Sequence, residues 1–383
     1  MTSGHVASGY EPVAEAFEQN FSEREELGAA FAAVVDGHTV VDLWGGLADR
    51  DRNRPWQEDT LQVIFSGTKG LVALCMLILI ERGQLDLDAA VARYWPEFAT
   101  GGKNDTLVSH VVSHRAGLPG IRAPITVEDV ANDRLMGQLL AGQEPFWPAG
   151  EEICYHALTY GWLCGEIVRR VDGRSIGHFF ADEIAGPLGL EVWIGLPPEL
   201  EPRVSVLERR VSGQPLYYGD CDSEIAWAVS ENPRLFDIEP AMWNTSAYHQ
   251  AEIPGAGAIG TARSLARLYA CLAAGGELDG VRLLRPETVR LGRTCLARGS
   301  DRCSGEPLAF GVGFMLQTEM QDMGPSEDAF GHGGAGGSIH AADPGLRLGF
   351  SYAMNEMRDD PARAQSLLAA LYAALRSSGE TPV

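Results

Sequence analysis

An unbroken apolar run from Leu71 to Ile80, Leu-Val-Ala-Leu-Cys-Met-Leu-Ile-Leu-Ile, follows directly on Ser66-Gly-Thr-Lys69-Gly70. A helix of that composition has no polar stripe to turn toward water, so it is predicted to be buried on every side, and the rest of the chain must wall it in. The run is too short to span a bilayer. An extended segment precedes it, which makes Ser66 the predicted start of the helix. Residues three apart in a helix share a face, so Ser66 Oγ and Lys69 Nζ are expected to meet inside the protein. Desolvation disfavours the charged form of a lysine, and a neutral amine can take a proton from a serine. Of the 30 lysines and arginines, only Lys69 and Lys103 are lysines. Arginine cannot be deprotonated at a useful pH. The chain therefore keeps a lysine at the one place where losing a proton would matter. Taken alone, the same residues also fit a helix-capping serine followed by an unrelated lysine.

A chain of 383 residues, 45% hydrophobic, is long enough for a large core and two domains, or one domain with a big insertion. The formal net charge of −22 argues against nucleic acid or an anionic membrane as partner. The first residues, Met-Thr-Ser-Gly-His-Val-Ala-Ser-Gly-Tyr-Glu-Pro, show neither the basic end nor the apolar stretch of a signal peptide, so a cytoplasmic protein is expected. The 7 cysteines are scattered without Cys-x-x-Cys spacing and read as reduced thiols, Cys154 among them as a packing residue.

Helical spacing predicts an amphipathic helix over residues 11 to 26. Strands at 29 to 35 and 38 to 44 flank Asp36-Gly37, a two-residue hairpin signal. Helical stretches at 107 to 113, 126 to 141, 158 to 172 and 175 to 186 make the middle of the chain mostly helical. A helix at 261 to 275, strands at 308 to 316, 337 to 342 and 346 to 354, and a closing helix at 361 to 376 complete the order. Strands at both ends with helices between them predict an α+β fold. One antiparallel sheet would be built from residues 1–65 plus 255–383, with a mostly helical inserted domain at 66–254 carrying Ser66, Lys69 and Tyr155.

Gly255-Ala-Gly257-Ala-Ile-Gly260 fits a dinucleotide-binding fingerprint letter for letter, but the Pro at its entry argues against the buried parallel strand that fingerprint needs. His110 and His114 have metal-ligand spacing without a third ligand, and read as structural histidines, so no metal is expected. No Gly-x-Ser-x-Gly elbow occurs. Tyr155 stands at a loop-to-helix junction where a phenol could face a cleft. The glycines of Gly331-His332-Gly333-Gly334-Ala335-Gly336-Gly337 allow a substrate to lie against backbone N–H groups able to stabilise an oxyanion.

Together these segments resemble the serine β-lactamase and penicillin-binding-protein superfamily over nearly the whole chain. Ser66-Gly-Thr-Lys69 matches its Ser-x-x-Lys. Tyr155-His-Ala157 stands where the family has Tyr-x-Asn, and His332-Gly333-Gly334 where it has Lys-Thr-Gly. Gly83-Gln-Leu-Asp-Leu-Asp, Ser113-His-Arg-Ala-Gly-Leu-Pro119 and Trp-Pro-Ala-Gly150 agree as flanking text. The resemblance implies Ser66 as nucleophile, Lys69 as base for acylation, and Tyr155 as the proton shuttle that later activates water. It implies an oxyanion hole from the N–H groups of Ser66 and Ala335, and substrate contacts at His332, Gly333 and Gly334. It leaves open whether Lys69 or Tyr155 is the principal base.

The departures carry as much information as the matches. Ala157 replaces the asparagine that grips an amide, and the titratable His332 replaces the lysine that attracts a carboxylate. That combination is similar to the family VIII carboxylesterases. A cofactor-free serine esterase acting on small or medium acyl esters is expected, its cleft lined by residues near Tyr155, 240 to 256 and 332 to 337. The alternatives are an acyltransferase of the same fold, a weak β-lactamase or D-peptidase, and a silent ligand-binding module.

Overall fold

The N-terminal hairpin forms where Asp36 and Gly37 both take left-handed backbone, with φ of 48° and 79°. That turn matches the twist of the strands it joins. The computed structural model describes residues 2–209, 223–235, 241–319 and 322–377. It opens with an edge strand, β1 (Thr2–Val6), which the sequence reading did not predict. Helix α1 (Glu11–Glu23), β2 (Gly28–Val35) and β3 (His38–Asp49) follow. The C-terminal part supplies β4 (Ala297–Ser300), β5 (Pro307–Phe310), β6 (Met315–Leu316), β7 (Phe330–Gly333), β8 (Ile339–Asp343) and β9 (Leu348–Met354). These strands run β1–β3–β2–β9–β8–β7–β6–β5–β4, and the short pair Arg54–Pro55 lies beside β3. Every neighbouring pair is antiparallel, and the two ends of the chain join at β2–β9, from Ala29 opposite Met354 to Val35 opposite Leu348.

The remaining labelled helices are α2 (Thr68–Glu81), α3 (Val108–Val112), α4 (Asp133–Gly142), α5 (Thr159–Asp172), α6 (Ala262–Ala273) and α7 (Ala362–Ser377). One face of the sheet is covered by α1 and α7, where Val13, Phe17, Leu367 and Leu371 bury Phe31 and Phe350. The other face takes α6 on an alanine seam of Ala262, Ala266 and Ala270 against Ala32, Val34 and Ala353. The approach is so close that a Cβ on Gly349 would lie 2.0 Å from the Ala270 nitrogen. Small residues there let the helix backbone rest on the sheet.

Helix α2 is buried from Thr68 through Leu79, as its composition requires, with α5, residues 176–180 and residues 286–292 around it. Each of its large apolar side chains contributes roughly 1.5–3 kcal/mol on leaving water. A second sheet of three short antiparallel strands, Gln62–Val63, Ala258–Gly260 and Val192–Ile194, ties the segment before α2 to the segment before α6. Among the described residues no helix is long and apolar enough to cross a membrane.

Boundaries differ from the sequence reading at several places; strand β3, for example, runs on to Asp49 and α1 stops at Glu23. The α-helix begins at Thr68, and Ser66 sits in a preceding 3-10 turn, Phe65–Gly67. The strand expected over 308 to 316 is two strands, β5 and β6, because Gly313 turns with φ 77°. The helix expected from 126 starts at Asp133, where the Asn132 side chain accepts the Leu135 N–H at 3.1 Å.

Candidate active site

Ser66 is half-buried in its 3-10 turn and reaches a cleft, while the residues around it are buried. Phe65, immediately before it, has φ 47°, a costly conformation for a bulky residue. The turn is held from outside. Thr68 Oγ1 donates to the Phe65 carbonyl at 2.6 Å and accepts the Ala258 N–H at 2.9 Å. The Phe65 ring packs edge-on against Trp243, centroids 4.8 Å apart.

Lys69 is fully buried in the first turn of α2. Its Nζ lies 3.0 Å from Ser66 Oγ, 2.7 Å from the Ala157 carbonyl and 2.8 Å from the Gly255 carbonyl. Burial holds its pKa well below the ordinary lysine value. The two carbonyls can only accept, so they take the two N–H bonds of a neutral amine and leave its lone pair for the Ser66 hydroxyl. The arrangement depends on glycine. A Cβ on Gly161, at the start of α5, would lie 2.0 Å from the Gly255 nitrogen, and only its absence lets α5 and the 254–255 segment close on Lys69. The fingerprint-like glycine segment thus supplies a carbonyl to the lysine and then enters the strand Ala258–Gly260.

Tyr155 is half-buried at the entry to α5, its ring centroid 4.8 Å from Lys69 Nζ. Burial pushes its phenol up, and a hydrogen bond with Ser66 offsets part of that rise. Asp301 fixes the Tyr155 backbone: its Oδ2 accepts the Tyr155 N–H at 2.6 Å and its Oδ1 accepts the N–H groups of Cys303 and Ser304, each at 2.8 Å. The ring stacks on His114 at 5.0 Å. His114 is buried and held well below the usual imidazole pKa, chiefly by burial, and its Nδ1 accepts the His156 N–H at 3.0 Å. It therefore serves as a neutral platform under the tyrosine. Cys154 and Cys303 are buried, form no disulfide and have Sγ atoms 3.5 Å apart, beside the turn that Asp301 organises. None of the six described cysteines is in a disulfide, and Cys221 lies outside the described residues.

The third segment closes the site at the end of β7. His332 is 1% exposed, its Nδ1 lies 2.6 Å from the Gly333 carbonyl, and burial, with the nearby Lys69, lowers its pKa to about 3. It is a neutral imidazole at physiological pH. Gly334 is wedged against the serine turn: a Cβ there would lie 2.3 Å from Ser338 Oγ and 2.4 Å from the Ile64 carbonyl. Ala335 lines the same cleft as Ser66. Among the described residues neither the Ser66 N–H nor the Ala335 N–H donates to a protein acceptor.

The cleft, of volume 710 Å³, brings together Ser66, Tyr155, Ala157, His332, Gly333, Gly334 and Ala335. Its walls depart from expectation. Of the described residues 241 to 256 only Ala256 lines it, because Trp243 and Tyr248 pack on each other behind Phe65 and face the core; residues 236–240 and 210–222 lie outside the described ones. The wall comes instead from described residues between 301 and 319, from Asp322 and Met323, and from Pro361, Ala364 and Leu368 near the start of α7. The roles of Asp301 and His114 went unseen in the sequence. His114 had a signal in the Ser113-to-Pro119 text, whereas nothing local marks Asp301.

A family model described as "Beta-lactamase" matches residues 14–374. The chain is 35% identical to "Esterase/beta-lactamase LipL" of Mycobacterium tuberculosis, over 90% of this chain and 81% of the relative. It is 32% identical to "Esterase EstB" of Burkholderia gladioli, over 45% of this chain and 48% of the relative. Among solved structures it superposes on a family VIII carboxylesterase with TM-score 0.91 and 36% identity, covering 98% of this chain and 100% of the other. A penicillin-binding-protein homologue from Caulobacter crescentus gives TM-score 0.90 at 38% identity, covering 98% and 100%. With a fold, a serine–lysine–tyrosine cluster and a whole-length family match in agreement, this chain belongs to the beta-lactamase family, in the likeness of its family VIII carboxylesterases.

Proposed function

We propose that the chain is a serine carboxylesterase that cleaves small or medium acyl esters through an acyl-enzyme on Ser66. The single observation that carries the reading is the buried Lys69 Nζ, 3.0 Å from Ser66 Oγ and within hydrogen-bond reach of the Ala157 and Gly255 carbonyls; once deprotonated, it keeps two N–H groups on those carbonyls and turns its lone pair to the serine. In acylation the Ser66 oxygen bonds to the ester carbonyl carbon as its proton passes to Lys69 Nζ. The tetrahedral oxyanion lies against the Ser66 and Ala335 N–H groups. The carbon–alkoxide bond then breaks, and Tyr155 delivers the proton to the leaving alcohol. Water reverses the sequence, bonding to the acyl carbon while the Ser66 ester bond breaks and the proton returns to the serine. The route as written needs no cofactor.

In this reading the catalytic groups come from two units, Ser66, Lys69 and Tyr155 from 66–254 and His332 to Ala335 from 1–65 plus 255–383. Two features favour an ester over a β-lactam or peptide. Ala157 offers no side-chain amide to grip a substrate amide, and the neutral His332 offers no cation to a substrate carboxylate. The partner is a small-molecule ester, and the described cysteines, none of them in a disulfide, fit a reducing cytoplasm as the compartment. The test is steady-state hydrolysis of p-nitrophenyl butyrate with and without added methanol. Turnover to butyrate, with methyl butyrate formed at the expense of butyrate as methanol rises, supports a common acyl-enzyme. Absence of turnover across a series of chain lengths refutes the esterase reading.

A further inference from the structure

We infer that the cleft selects esters carrying an ammonium group and rejects those carrying a carboxylate. The inference rests on the esterase reading and adds the charge of the substrate to it.

The apolar part of the cleft, with Leu308, Met315, Met323, Ile339 and Leu368, sets no charge requirement. Its polar part is one-signed. Asp301, Glu306, Glu319 and Asp322 line it, and no lysine or arginine does among the described residues. Lys69 lies behind Ser66 and is held toward its neutral form by burial. Asp301 is consumed by three backbone N–H groups. The other three carboxylates are exposed, and none forms an ion pair among the described residues; Asp322 accepts only from the Gly324 N–H and the Gln317 side chain. Charges of one sign lining a cleft with apolar walls focus the field onto whatever enters.

The second observation is independent of those charges. His332 and Ser338 are 1% and 3% exposed and line the cleft, and His332 Nε2 and Ser338 Oγ have no hydrogen-bond partner. Because His332 Nδ1 faces the Gly333 carbonyl at 2.6 Å, the ring proton must sit on Nδ1, and Nε2 is left as a bare acceptor. A substrate N–H satisfies such an atom, whereas a carboxylate sets lone pair against lone pair. The site that would hold a carboxylate-binding cation in a β-lactam-directed relative is here an acceptor lining the same cleft as three carboxylates without an ion pair among the described residues.

The experiment compares three butyrate esters: the 2-(dimethylamino)ethyl ester, protonated at neutral pH; its uncharged isostere, 3-methylbutyl butyrate; and the ester of 4-hydroxybutanoate. Each kcat/KM is divided by the ester's own rate with hydroxide, which removes differences in intrinsic reactivity. At low salt the ammonium ester should exceed the neutral one about 10-fold and the carboxylate ester about 100-fold, with both ratios shrinking at high salt. In the triple variant Glu306→Gln, Glu319→Gln, Asp322→Asn the ammonium-to-neutral ratio should collapse toward one. Equal corrected rates in the wild type, or a ratio unmoved by the triple variant, overturn the inference while leaving the esterase reading intact. Inertness toward all three esters and toward p-nitrophenyl butyrate overturns both.

Discussion

Replacing Lys69 by methionine keeps an unbranched apolar stem one heavy atom shorter and removes all three of the lysine's polar contacts. The Ala157 and Gly255 carbonyls, 2.7 and 2.8 Å from Nζ, lose their donor, the Gly255 contact being buried and the Ala157 contact part-buried beside the cleft. Leaving a buried acceptor unpaired costs about 1–3 kcal/mol, so two cost about 2–6 kcal/mol. The thioether returns part of this because the amine no longer has to be buried, and a net loss of about 1–4 kcal/mol is expected. The contribution has a pH signature. Burial depresses the folded-state pKa of Lys69 below its ordinary 10.5, so between the two values the unfolded chain binds a proton that the folded chain does not. The stability contribution of Lys69 is therefore complete above the unfolded value and is lost as pH falls through the folded one. The stability advantage of wild type over Lys69→Met should grow as pH rises within that window, read from urea unfolding of both proteins over the same pH series. Ester acylation should fall by about 10²–10⁴, the usual worth of a positioned base, and wild-type acylation should be lost on the acid side as the amine protonates. A variant that acylates within about 10-fold of wild type, or whose stability difference from wild type is flat with pH, would refute the assignment of Lys69 as a buried neutral base.

Tyr155→Phe removes the phenol that meets Ser66 while leaving the ring on its His114 platform; kcat on p-nitrophenyl butyrate should drop about 10²–10³ with stability changed by no more than about 1 kcal/mol. Gly334→Ala forces a methyl group between Ser338 Oγ and the Ile64 carbonyl. It should cost about 1–3 kcal/mol in urea unfolding and at least about 10-fold in kcat/KM as β7 is pushed off the serine turn. Asp301→Asn leaves one of three backbone N–H groups facing an amide NH₂, so about 1–3 kcal/mol of stability should be lost, with kcat falling as the Tyr155 loop loosens and KM changing less.

The serine–lysine pair was legible because its determinants are local. Ser66 and Lys69 are three residues apart, and the apolar run after them forces burial, so the pair meets across one helical turn even though Ser66 sits in the 3-10 turn that precedes the α-helix. The hairpin at Asp36-Gly37 and the alternation of end strands and middle helices were readable for the same reason. What the sequence did not disclose is set by long-range contacts. Asp301 reaches Tyr155 across 146 residues, and the Gly255 carbonyl reaches Lys69 across 186. The cleft wall was misplaced because the aromatic residues at 243 and 248 fill the core behind Phe65, leaving described residues between 301 and 319, Asp322, Met323 and α7 to face the cleft. The edge strand β1 carries glycine and exposed polar residues in place of apolar alternation, and only its pairing with β3 makes it a strand. His332 was expected as a titratable group; its burial makes it a neutral acceptor instead.

The central claim is a covalent intermediate on one named oxygen, and the most direct measurement is the mass of acid-quenched enzyme during turnover of p-nitrophenyl butyrate, with peptide mapping, beside the Ser66→Ala variant. The account predicts a single butyryl addition on the peptide containing Ser66, formed as fast as the phenolate burst and absent from the variant. Turnover with no adduct on that peptide, or an adduct that persists in Ser66→Ala, would contradict it.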